Sequence, residues 1–301
     1  MKKSKSMIIL FVTPAVLTFF VMFLYPVART IVMSFFRVES VTAPLGDWSF
    51  TGIENYATLW DSVTFHAAMG NILRIWLVGG MVVLAFSLFF AVILTSGVRG
   101  KSFFRAMIYL PNIVSAVALA TMWKQFVFVN KNYGLLKGTF KALGLESLRA
   151  INWLGTDMLF WSMLIAFCFG SIGYYMLIFL SGIERIPADL FEAATIDGAT
   201  KPKQFFHITL PLLKGVFKTN ITFWSINTIT FFVWSKMFSP QNTELTTVAP
   251  MVYMYDLTFG TQGSTQRDAG AGAAIGVVMA VCVLLIFLIL NHLVRDDGME
   301  Y

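Results

Sequence analysis

The feature that most limits this chain is a series of six apolar runs, each roughly as long as a bilayer core is thick. They cover Met7–Tyr25, Ile72–Leu94, Ala106–Val127, Met158–Leu180, Gly215–Met237 and Ala269–Leu290. Runs of this length satisfy their backbone N–H and C=O groups in lipid by forming helices. Barrel strands are about half as long. The pattern predicts an all-α, polytopic membrane protein with six transmembrane helices. Composition excludes the soluble alternative: 57 % of residues are hydrophobic and 13 % charged, against about a quarter charged in a soluble domain.

The first run follows Lys2, Lys3 and Lys5, as in a secretory signal. It is long and lacks an A-x-A-like cleavage site, so it reads as an uncleaved first span. Six spans place both termini on one side. The N-terminus, the Thr95–Arg105 turn, the Gly182–Lys218 region and the C-terminal tail together hold 12 of the 22 lysines and arginines, in the shorter total length. That bias puts both termini in the cytoplasm. The net charge of +6 is then loop charge that sets orientation, and no nucleic-acid partner is expected. Among the outer loops, Trp48–Trp76 carries spaced aromatics and predicts an amphipathic helix at the membrane interface before the second span. Tyr133–Trp153 and Pro240–Arg267 are the others, and no segment is long enough for a soluble catalytic domain.

Several functions lack their chemistry. Cys168 and Cys282 both lie in apolar runs and read as small buried side chains. His66, His207 and His292 have no ligand-like spacing, so no metal site is expected. The middle of every span lacks Asp, Glu, Lys and Arg; Arg74, Lys124, Asp157, Lys218 and Lys236 fall near span ends, where they can snorkel. An ion-driven carrier usually places such groups near the midplane. Gly100-Lys101-Ser102 resembles the end of a phosphate-binding loop, but Thr95 stands where the first glycine belongs and a membrane helix where a strand belongs. The chain therefore has no ATP site of its own, is not an enzyme, and binds no cofactor.

The cytoplasmic segment GIERIPADLFEAATIDGATKPKQFFHITLPLLK, Gly182–Lys214, is the most informative stretch. Pro187 suits a first helical turn, and Asp189 and Glu192 favour its positive end. Gly198 fits a helix stop. Pro202 opens a second helix, which Pro211 ends or kinks. Leu190, Ala193, Ala194 and Asp197 share one face of the first helix. Small residues there allow close approach by another protein; the same pattern also suits a solvated loop helix.

Glu192-Ala193-Ala194, three residues, Gly198, nine residues, then Ile208-x-Leu210-Pro211 resembles the EAA loop of ABC importer permeases at every specified position. Asp197 and the phrase IPADLFEAATIDGA resemble the carbohydrate-importing, MalF/UgpA-like subgroup. So do FFRAMIYLPNIVSAVALATMW at the third span, TGIENYATLW before the second and GAGAAIGVVMAV in the last. The resemblance implies a MetI-like fold over residues 1–301, with residues 184–214 as the coupling loop. It implies a second homologous permease, an ABC ATPase dimer that uses ATP and magnesium, and an extracytoplasmic solute-binding protein. The cargo would be a sugar, oligosaccharide or glycerol phosphate, or else an amino acid or peptide, and the location a prokaryotic plasma membrane. A stand-alone carrier or channel is the competing class.

On this resemblance, Leu190, Glu192, Ala193, Ala194, Asp197 and Gly198 couple to the ATPase. By similarity, Gly170, Ser171, Tyr174, Trp224, Asn227, Thr228 and Phe231 line the solute path. Asn220, Trp224, Asn227, Thr228 and Phe231 fit one helical stripe, which suits either a neutral sugar or helix–helix packing. Gly272 and Gly276 form a GxxxG for close packing inside the subunit.

Overall fold

The computed structural model describes residues 5–131, 133–239, 244–261 and 267–293. Lys2, Lys3, the C-terminal tail from 294 and parts of the Pro240–Arg267 loop lie outside the described residues.

The chain is helical almost throughout. In order run α1 (Lys5–Phe19), α2 (Tyr25–Met33), α3 (Glu54–Asp61), α4 (Val63–Arg74), α5 (Gly80–Thr95), α6 (Lys101–Ile113), α7 (Ala116–Met122), α8 (Leu135–Ala142), α9 (Glu146–Arg149) and α10 (Thr156–Ile183). There follow α11 (Ala188–Ile196), α12 (Lys201–Gln204), α13 (Leu210–Leu212), α14 (Lys214–Ile229), α15 (Val233–Phe238), α16 (Pro250–Phe259) and α17 (Ala269–Leu293). Among the described residues, four continuous helices are long and apolar enough to cross a membrane: Ile9–Met33, Val63–Thr95, Thr156–Ile183 and Ala269–Leu293. The protein is therefore multi-pass.

Three differences from the sequence expectation have local causes. The first helix outruns its apolar stretch and ends at Met33, passing through a π-helical turn at Phe20–Leu24. Pro26 lacks an N–H and crowds the carbonyl four residues back, at Met22, inside that turn. The amphipathic segment before the second span does not lie apart from it: after a short α3, the helix starts at Val63 and runs unbroken in direction to Thr95. The third run is bent by 97° between Lys101–Ile113 and Ala116–Val127. Pro111 occupies the last turn of α6, and Ser115 caps α7 by accepting from the Ala118 N–H at 3.2 Å.

The fifth run is also broken, into α14 and α15. At the end of α14 the Thr230 hydroxyl donates to the Ile226 and Asn227 carbonyls, at 3.0 and 3.1 Å.

The chain forms two compact units. One comprises Met1–His66 and Tyr253–Val281. Its β1 (Phe36–Arg37) and β2 (Ser49–Phe50) form a small antiparallel ribbon. Buried Asn55 donates to the Ser34 and Phe36 carbonyls, both at 2.9 Å, and fixes the ribbon to α3. Met33, Val38, Ala269 and Ala273 pack together beneath it. Gly272 lies where any Cβ would strike Thr258 of α16, whereas a Cβ on Gly276 would meet only ordinary contacts, so the GxxxG packs closely at its first glycine alone.

The other unit comprises Ala67–Val252 and Cys282–Tyr301 and is organised on α10. Most of this helix is buried, with α5, α6, α7, α14 and α15 against it. Ala91 and Leu94 of α5, Met176, Phe179, Leu180 and Ile183 of α10, and Leu213 form one apolar cluster.

Candidate functional site

The loop after α10 folds as its prolines and glycine dictate. Pro187 is extended (φ −56°, ψ 133°) and precedes α11, with Asp189 in the first turn. Negative charge there complements the helix N-terminus. The C-terminus is a complete Schellman motif. The Ala199 N–H donates to the Ala194 carbonyl at 2.8 Å, and the Gly198 N–H to that of Thr195 at 3.0 Å. Gly198 has φ +76°, a left-handed conformation that glycine adopts without a Cβ penalty. Pro202 lies in the first turn of α12. A π-helical turn at Phe205–Thr209 absorbs Pro211, and the rod ends at Leu212, one residue beyond that proline.

The predicted coupling residues come together on this loop. Leu190, Glu192, Ala193, Asp197 and Gly198 are exposed, and Ala194 is half-buried. Ile196 is 86 % exposed, an apolar side chain standing out at the tip. Not one residue of α11 is buried. Gln204, in contrast, is 3 % exposed although Lys201 and Lys203 stand just before it. Its Nε2 donates to Thr195 Oγ1 at 2.9 Å and to the Ala199 carbonyl at 3.2 Å. Nothing in the residue spacing marked Gln204; the adjacent Pro202, which fixes where α12 begins, is the one local signal that could have pointed to it.

The residues expected to line a path divide into two sets. Gly170 and Ser171 are buried on α10, and the Ser171 hydroxyl donates to the Phe167 carbonyl at 2.8 Å. Asn220, Trp224 and Thr228 are buried on α14, and Phe231 is buried just past its end. Tyr174, at 36 %, and Asn227 are exposed. The single stripe expected on the fifth span is thus split: Asn220, Trp224 and Thr228 are buried, while Asn227 is exposed with its side chain bonded to the buried Tyr175 of α10.

Trp224 has a specific seat. Its Nε1 donates to the Trp76 carbonyl at 2.9 Å, and Trp76 Nε1 donates to Ser225 Oγ at 2.8 Å. Trp76 lies in a π-helical turn, Ile75–Gly79, and its carbonyl also accepts the Gly80 N–H. A Cβ on Gly80 would come within 2.6 Å of the Trp224 indole nitrogen. The side chains of Asn220 and Thr228 are buried with no hydrogen-bond partner. Outside this packed layer, Tyr174 and Phe223 form an edge-on ring pair 6.3 Å apart. Toward the loop, α10 and α14 enclose a groove of about 610 Å³ whose lining includes Ser181, Arg185, Thr219, Thr222 and Phe223. Its lining mixes hydroxyls and an exposed ring with two cations, Arg185 and Lys218, and hydroxyls beside rings suit a polyhydroxylated solute. Among the described residues, no cluster of His, Cys, Asp or Glu could hold a metal ion.

Comparison with known proteins identifies the family. Residues 83–296 match the family of binding-protein-dependent transport system inner membrane components. The arabinooligosaccharides transport system permease protein AraP of Bacillus subtilis is 32 % identical over 93 % of this chain and 86 % of its own length. The lactose transport system permease protein LacF of Rhizobium radiobacter is 30 % identical over 92 % of each chain. A chain of a bacterial ABC transporter involved in the import of the acidic polysaccharide alginate superposes with a TM-score of 0.79 at 20 % identity, over 97 % of this chain and 96 % of that one. The match over most of the chain, with an exposed E-A-A helix closed by Gly198, makes this protein a member of the binding-protein-dependent transport system inner membrane components, the permease subunits of ABC importers.

Proposed function

We propose that this chain is one of two permeases forming the membrane path of a carbohydrate importer, worked by separate ATPase subunits. The observation that carries the coupling role is α11 itself: a helix with no buried residue, ended by a Schellman turn and presenting Ile196, Glu192 and the two alanines outward. A helix so placed gains little from its own subunit, so its apolar tip is stabilised by a groove in another protein. Leu190, Glu192, Ala193, Ala194, Asp197 and Gly198 form that contact. ATP-driven closure of two ATPases moves the helix, and rigid-body rotation passes the motion to the spans. Neither ATP nor magnesium is held by this chain.

In this reading there are six spans. The bent pair α6–α7 is the third and the broken pair α14–α15 the fifth; both termini and the loop 184–214 face the cytoplasm of a prokaryotic cell. Residues 1–301 work as one permease. The solute, delivered by an extracytoplasmic binding protein, passes along α10 and α14. Tyr174 and Asn227 touch it, while Gly170, Ser171, Trp224, Thr228 and Phe231 form the wall behind them. The names of AraP and LacF, with the neutral, aromatic-flanked face of α10 and α14, favour a sugar or oligosaccharide over an amino acid or peptide.

The test is purification of the tagged protein from its native membranes followed by reconstitution in vesicles. A second permease and an ATPase are expected to accompany it, and uptake to require ATP. Uptake by this chain alone, without ATP, contradicts the proposal.

A further inference from the structure

We infer that Gln204 is a positioning residue that latches the coupling helix to the arm leading into the fifth span. The inference rests on the coupling role proposed above.

α11 has little else to hold its angle. None of its residues is buried, and a cavity of about 500 Å³ lies beside it, lined in part by Val92, Ile183, Ala188, Phe191 and Phe205. Packing against the membrane helices therefore does not fix it. Among the described residues, Thr195–Gln204 is the one side-chain hydrogen bond from α11 to another helix. The Thr195 hydroxyl accepts that bond while donating to the Phe191 carbonyl at 2.7 Å, so its lone pairs are aimed at Gln204. Gln204 spends both amide protons, on Thr195 and on the Ala199 carbonyl, and its oxygen accepts from Lys201 Nζ at 3.4 Å. The latch closes over the three residues of the turn, Gly198–Thr200.

On the other side Gln204 belongs to a continuous arm. α12, its π-helical turn and α13 run into Leu213, which is fully buried in the cluster shared with α5 and α10. A push on α11 reaches this arm through the backbone turn and through the latch. Without the latch the turn alone connects them, and a turn containing a left-handed glycine bends more readily than a buried, doubly bonded amide. The geometry makes helix and arm one lever, with Gln204 as the brace.

The test uses the whole transporter, purified by a tag from native membranes, with nitroxide labels on Asp189→Cys and Ser96→Cys in a Cys282→Ala background. Both labelled positions are exposed. Double electron–electron resonance reads the spread of the distance between them. The otherwise native chain should give one narrow distribution. Gln204→Leu and Thr195→Val should each broaden it about twofold. Thr195→Ser keeps the hydroxyl and should restore the narrow form, which a general loss of stability would not predict. Should Gln204→Leu fail to fold, the two Thr195 variants decide. Unchanged widths in the latch variants, or a broad Thr195→Ser, overturn the latch. Absence of any ATPase subunit from the purified complex instead overturns the coupling role and leaves the latch measurement standing.

Discussion

The coupling loop and the packed layer between α5, α10 and α14 hold their shapes by opposite means. The layer relies on burial: Phe179, Met176, Tyr175 and Trp224 are each 1 % exposed or less. Its hydrogen bonds join helices that already touch, as Trp76 and Trp224 do. The loop has a helix with no buried residue and stands on backbone geometry plus a few polar contacts. A change of size should therefore damage the layer through stability. The loop should be damaged through conformation, with stability nearly intact. Motion fits this division, since segments with few buried apolar contacts reorient at low free energy.

The sharpest break of that contrast is Gly198→Pro. Proline cannot adopt φ +76° and lacks the N–H that now reaches Thr195. We expect ATP-driven uptake to be lost while membrane insertion, read by fractionation, is unchanged. Normal uptake by this variant removes Gly198 from the coupling assignment. The next largest effect is on stability. Gly80→Ala drives a methyl group into the Trp224 indole and should cost about 1–3 kcal/mol, read as a lower unfolding midpoint in detergent, and Gly80→Leu more. Trp224→Phe keeps most of the packing but removes the indole bond to the Trp76 carbonyl, at about 1 kcal/mol. Asn227→Ala removes a bond to Tyr175 and should lower the midpoint by no more than about 1 kcal/mol, yet raise the KM for the transported solute severalfold. An unchanged KM with a lowered midpoint would return Asn227 to the packing layer.

Local rules were legible in the sequence. Pro187, Gly198 and Pro202 each constrain a backbone angle or remove a donor within a turn of the chain, and the loop obeys them. The long apolar runs also became helices, since lipid leaves the backbone no other partner. What was not legible depends on distant neighbours. Trp224 seats on Gly80 and bonds to the Trp76 carbonyl of another span, and no periodicity in α14 reports that. The stripe on the fifth span fitted a lining face and a packing face equally, because one 3.6-residue period describes both. Only the partner helices separate Trp224, turned inward, from Asn227, turned out. Asn55 and Gln204 are ordinary amides in sequence, and each matters because the fold brings carbonyls or a hydroxyl to it.

The central claim is that α11 faces the cytoplasm and seats in an ATPase. It is tested most directly by labelling Ile196→Cys, in a Cys282→Ala background, with a membrane-impermeant maleimide on sealed native vesicles. The account predicts labelling of inside-out vesicles once their ATPase is stripped, protection when it is rebound, and none in right-side-out vesicles. Labelling from the outer face, or equal labelling with and without the ATPase, contradicts it.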